Sequence, residues 1–147
     1  MVDFVEILEG HATTLGWKFG YGNAANKNLL KSNSVAGEIS LLLDPVTRSH
    51  VGSENGGIGE TTFTGSFMVL VKSNLDNVYH NQKDKDKSNG KYEKNIKPLL
   101  TSLGSLKSLI DCSDIEINTG GWVVVDAVNA LDANMDGVIV TYSVKTL

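Results

Sequence analysis

The chain alternates between two spacings of apolar residues. Phe4, Ile7, Leu8, His11, Ala12 and Leu15 recur three and four apart, the stripe of an amphipathic helix. Asp3 followed by Glu6 gives a capping-box-like start and Gly16 a stop, so a helix is predicted over 3–15. Trp17, Phe19 and Tyr21 then alternate with Lys18, Gly20 and Gly22, a short strand with an aromatic face. Ile39, Leu41 and Leu43 alternate in the same way and end at Asp44-Pro45, because proline cannot continue a central ladder. Residues 22–37 between them are rich in Asn, Ala, Ser and Lys and read as a loop.

Thr61 to Lys72 is the clearest long strand. Phe63, Phe67, Val69 and Val71 share one face, and Met68 and Leu70 fall on the other, so its second half is expected to be covered on both sides. Ahead of it, residues 49–60 carry Gly52, Gly56, Gly57 and Gly59 and read as a mobile loop or arm. Behind it, residues 73–90 form a polar connection. Tyr92, Ile96, Leu99, Leu100, Leu103, Leu106 and Ile110 make a second helical stripe, which Pro98 and Gly104 are expected to kink, split or shorten. Ile115 and Ile117 suggest a short strand, Gly120-Gly121 a break, and 122–128 with 138–144 a final antiparallel pair. Phe67, Val69, Trp122, Val140 and Tyr142 are the expected centre of one core. Strands and helices do not alternate regularly. The pattern predicts one α+β domain over 1–147, an antiparallel or mixed β-sheet with two main helices packed on one face.

Composition narrows the class. The chain has 147 residues, enough for one core, with 41% apolar and 20% charged residues, outside the range of disordered or collagen-like chains. Its apolar runs are far shorter than the roughly 20 residues of a membrane-spanning helix, and its start has no basic segment ahead of an apolar one, so neither membrane nor signal peptide is expected. Net charge is −4, which disfavours broad nucleic-acid binding. Lys83, Lys85, Lys87 and Lys91 are offset by Asp84 and Asp86 and read as a solvated loop. Cys112 is the only cysteine, so no intrachain disulfide can form.

Candidate chemistry is sparse. Asp132-Ala-Asn134-Met-Asp136-Gly137 matches the first half of a calcium loop, with oxygen ligands at positions 1, 3 and 5 and glycine at 6. Position 12, which should be a bidentate Glu, is Ser143, and the flanks read as strands. A tight turn explains the same residues, so no metal site is expected there. His11, His50 and His80 show no paired spacing, and His11 reads as packing. Gly57-Ile-Gly59 precedes a strand instead of opening a helix and lacks the rest of a dinucleotide fingerprint. No nucleophile elbow or phosphate loop is present. No cofactor is expected.

The segment Asn129-Ala-Leu-Asp132-Ala-Asn134-Met-Asp136-Gly137-Val138, followed by an alternating last strand, resembles the close of small tail-terminator and head–tail connector proteins of tailed bacteriophages, of the type found in phages of Bacteroidetes. Glu38-Ile-Ser-Leu-Leu-Leu-Asp44-Pro45-Val46 also looks like their early strand ending in Asp-Pro. The resemblance implies a non-enzymatic virion structural protein, a ring oligomer at the neck or tail that takes part in virus assembly and head–tail joining. It implies as partners the chain itself, portal, connector or tail-tube proteins, and genome DNA passing through the lumen without specific binding. It would be made in the bacterial host cytoplasm and end in the virion. The two long connections, 45–60 and 76–91, are the expected interface, represented by Pro45, Arg48, Gly56, Gly57, Asp84, Lys85 and Asp86. The competing readings are a monomeric calcium- or ligand-binding module and a small enzyme whose site assembles only on folding.

Overall fold

A computed structural model describes residues 2–22, 37–72, 90, 92–130 and 135–147. Helix α1 spans Phe4–Thr14, followed by strands β1 (Lys18–Tyr21), β2 (Ser40–Leu43), β3 (Thr47–Gly52) and β4 (Ile58–Lys72). A π-turn at Tyr92–Ile96 leads into helix α2 (Lys97–Asp111), then β5 (Ile115–Ala130) and β6 (Met135–Thr146). The Asp3 carboxylate accepts the Val5 N–H at 2.9 Å and caps α1 as its sequence position suggests.

Among the described residues the strands form one six-stranded sheet in the order β1-β2-β4-β6-β5, with β3 also paired to β4. β1 and β2 are parallel and the other pairs antiparallel, so the sheet is mixed. Thr62 to Thr64 pair with β6, and Thr64 to Thr61 pair with β3. The β2 partners, Phe67 to Leu70, pair with β6 as well. β2 and β3 therefore lie end to end on the side of β4 away from β6. β5 closes the opposite side.

Both described helices, α1 and α2, pack on one face. Phe4, Leu8 and Ala12 of α1 and Leu99, Leu103, Leu106 and Ile110 of α2 join Phe63, Phe67, Val69, Val140 and Tyr142 in one buried cluster. Phe4 and Phe67 lie tilted against Tyr142, with ring centroids 4.6 and 5.9 Å from it, and Trp122 meets Phe67 edge-on at 5.7 Å. Each such buried side chain stabilises the fold by roughly 1.5–3 kcal/mol. On the other face Leu42, Leu70 and Met135 form a smaller buried cluster with Met68 against it, which is the two-sided burial read from the β4 sequence.

Four expectations change in detail. The Gly-rich stretch is a β-hairpin formed by β3 and the start of β4, not a loop. α2 runs unbroken through Gly104; Pro98 sits in its first turn, where its missing N–H is least costly, and the π-turn precedes it. Gly120-Gly121 does not end a strand: the pairing register shifts between Ile117 and Trp122, so the glycines lie in a bulge within one continuous β5. The last strand starts at Met135, three residues before the expected Val138.

Candidate functional site

Of the sequence-predicted interface residues, Arg48, Gly56 and Gly57 lie on the β3–β4 hairpin. All six β3 residues are exposed, as are Ile58 to Glu60 at the start of β4. β6 pairs with β4 only from Thr62 onward, so the hairpin beyond Thr61 projects past the sheet as an arm. The turn locks the tip. Ser53 N–H donates to the Gly57 carbonyl at 2.9 Å, Gly57 N–H donates to Ser53 Oγ at 2.9 Å, and Gly56 N–H donates to the Ser53 carbonyl at 3.0 Å. Gly56 has φ +79°, a left-handed conformation that glycine adopts without steric cost. Pro45 lies in the elbow between β2 and β3, where the neighbouring Asp44 accepts from Ser66 Oγ at 2.6 Å. Asp84, Lys85 and Asp86 lie outside the described residues.

Arg48 and His50 point from β3 toward the N-terminal end of α1. Arg48 Nη2 stands 3.4 Å from Asp3 Oδ1. His50 Nδ1 is 2.9 Å from Thr61 Oγ1 across the hairpin. Together with Val2, Ile58, Phe63 and Leu147 they line an open cleft of about 340 Å³. The lining mixes apolar side chains with a guanidinium, a carboxylate and an imidazole. Such a cleft suits an amphipathic side chain or small polar ligand. His50 Nδ1 and the Thr61 hydroxyl are within hydrogen-bond distance there, and which of them donates depends on the imidazole tautomer.

Of the calcium-loop candidates only Asp136 lies within the described residues. Asp132 and Asn134 lie outside the described residues. Asp136 is fully buried and accepts from Asn95 Nδ2 at 2.9 Å, tying β6 to the π-turn. Gly137 is in β6, where any Cβ would run into the Val69 carbonyl. The half-match to a calcium loop therefore comes in part from a strand that needs an engaged acid and a bare backbone in succession. Among the described residues no group of three or more His, Cys, Asp or Glu side chains could hold a metal ion.

His11 and Ser113 bring the ends of the helices together, with Nε2 and Oγ 2.8 Å apart. Ser113 Oγ donates to the Leu109 carbonyl at 2.9 Å, so its lone pairs receive the imidazole N–H. The pair clips the two helix ends together. Burial holds the His11 pKa below its ordinary value. Cys112 is exposed beside it. His80 lies outside the described residues.

One feature escaped the sequence reading. Among the described residues no strand pairs with the outer edge of β5, and Val123 and Val125 on it are 52% and 57% exposed. Alternation across 122–128 identifies a strand but cannot show that it is an edge. Among the described residues no helix is long and apolar enough to cross a membrane. No family model, curated protein or solved structure matches the chain.

Proposed function

We propose that the chain is a structural virion subunit that forms a ring at the neck or tail of a tailed bacteriophage, as a tail terminator or head–tail connector. Its partners are other copies of itself and portal, connector or tail-tube proteins, with genome DNA passing through the lumen unbound. The reading includes no catalytic step and no cofactor. The observation that supports it is the arm: a turn-locked hairpin whose β3 residues are all exposed and whose tip, beyond Thr61, extends past the pairing with β6. An ordered, exposed hairpin has little to gain from its own chain and much to gain from a neighbour. The placement at a neck or tail comes from the sequence resemblance.

The experiment removes residues 52–59 and compares folding with incorporation into particles. An intact thermal transition with blocked incorporation is the expected result. Normal, infectious particles would contradict an assembly role for the arm. A monomeric ligand-binding module is the second reading, and the cleft at the base of the arm favours it. Saturable binding of a small molecule that Arg48→Ala abolishes, with incorporation unaffected, would select it.

A further inference from the structure

Among the described residues the exposed large apolar side chains are not scattered. Val51 and Ile58 lie on the hairpin and Tyr21 on β1, along one side of the sheet, while Val123 and Val125 lie on β5 at the other. Leu147 lines the cleft beside the hairpin. Exposed valines and isoleucines on an unpaired strand are what proteins ordinarily avoid, because such an edge invites another strand. Among the described residues Val51 on β3 and Val123 and Val125 on β5 present them on opposite sides of the sheet.

The edges also match in direction and charge. β5 runs parallel to β4, because both are antiparallel to β6, and β3 runs antiparallel to β4. A second copy in the same orientation therefore brings its β3 antiparallel to the first copy's β5. β3 carries Arg48, which also reaches Asp3 of its own chain, and no acid, whereas β5 carries Asp126 and Glu116, the latter also reached by Lys145, and no Lys or Arg. Arg48 pairs across to Phe63, and Asp126 pairs across to Val138, both core residues, so the two charges belong to the same helix-bearing face. Cross-strand pairs of opposite charge and of β-branched residues are the units that stabilise a sheet.

We propose that the protein assembles head to tail, the β3 edge of one copy pairing antiparallel with the Trp122–Ala127 stretch of β5 in the next, so that one sheet continues from copy to copy. The inference rests on the subunit reading and names its surface. The partner is a second copy because the two strands match in direction, both offer exposed β-branched residues, and β3 bears a cation where β5 bears acids. A contact between different patches closes into a ring when its rotation permits.

The test uses two double variants of the full chain, V123K/V125K on β5 and V51K/I58K on the hairpin. All four positions are more than half exposed, so both variants should keep the wild-type thermal transition; Thr at the same positions is the substitute if Lys disturbs the strands. Mass is read by light scattering or native mass spectrometry up to millimolar protein. The wild type should exceed the monomer mass, and each variant alone should associate about tenfold or more weakly, since edge lysines oppose strand pairing. An equimolar mixture should form a heterodimer and nothing larger, because each variant supplies the edge the other lacks. A wild type that stays monomeric overturns the proposal, and so does a mixture that stays monomeric while the wild type assembles. Variants that assemble like the wild type overturn edge pairing and leave the subunit reading standing.

Discussion

Tyr142 on β6 stands directly opposite Gly65 on β4, and a Cβ placed on Gly65 would lie 2.8 Å from the Tyr142 hydroxyl oxygen. The missing side chain at 65 is what lets the tyrosine ring lie between Phe4 and Phe67. Its hydroxyl is buried with no hydrogen-bond partner among the described residues, and burial pushes its pKa well above the ordinary phenol value. Gly65→Ala should cost about 1–3 kcal/mol through overpacking. Tyr142→Phe should be neutral or slightly stabilising, because it removes an unpaired buried polar group. The double variant should cost less than Gly65→Ala alone. Urea melts of the three variants check this; a clear loss in Tyr142→Phe would show the hydroxyl is bonded.

Asn95 and Asp136 supply a second test. Asn95→Ala leaves a buried carboxylate short of a donor and should cost about 1–3 kcal/mol. Gly137→Ala should be at least as damaging, since the obstacle is a neighbouring backbone carbonyl. Millimolar calcium should leave the wild-type thermal transition unmoved. A calcium-dependent rise that Asp132→Ala abolishes would restore the metal reading.

The pH dependence follows from His11, whose pKa burial lowers from 6.5. Above 6.5 the imidazole is neutral in both folded and unfolded chains, and the fold keeps the stability of an uncharged buried ring. As pH falls below 6.5 the unfolded chain takes up the proton first, so this stability is lost as pH falls through the lowered folded value. Urea melts from about pH 8 to about pH 5 should show a decline that His11→Gln reduces. An equal decline in both proteins would place the titration elsewhere.

At the hairpin tip, Gly56→Ala puts a side chain into a left-handed turn position and should cost about 1–2 kcal/mol. Because the tip lies away from the core, a smaller effect on the global melt with faster amide exchange in residues 51–60 fits equally well. Unchanged exchange there would mean that the turn is not what orders the arm.

The legibility of these features in the sequence follows what each strand or helix buries. Phe4, Leu8 and Ala12 bury one helical face, and Phe67 to Val71 bury both faces of β4, so their patterns could be read. β3 buries nothing, so Thr47 to Gly52 show no alternation, and only the hydrogen bonds to β4 make it a strand. Gly120-Gly121 read as a break because composition cannot separate a bulge inside a ladder from its end. Asp136 and Gly137 resembled half a metal loop because a buried acid and a close backbone approach use the residue types a ligand loop uses. Arg48 and Gly56 were found as interface candidates through the length of their connection, whereas the β5 edge needed the strand order.

The most direct test of the virion-subunit reading is where the protein sits. A copy carrying a small epitope tag on the exposed hairpin flank or, as a control, at the N-terminus can be labelled on purified particles and imaged by electron microscopy. Label confined to the head–tail junction or the tail is the expected result. Purified, infectious particles that carry neither label nor the protein itself would contradict it.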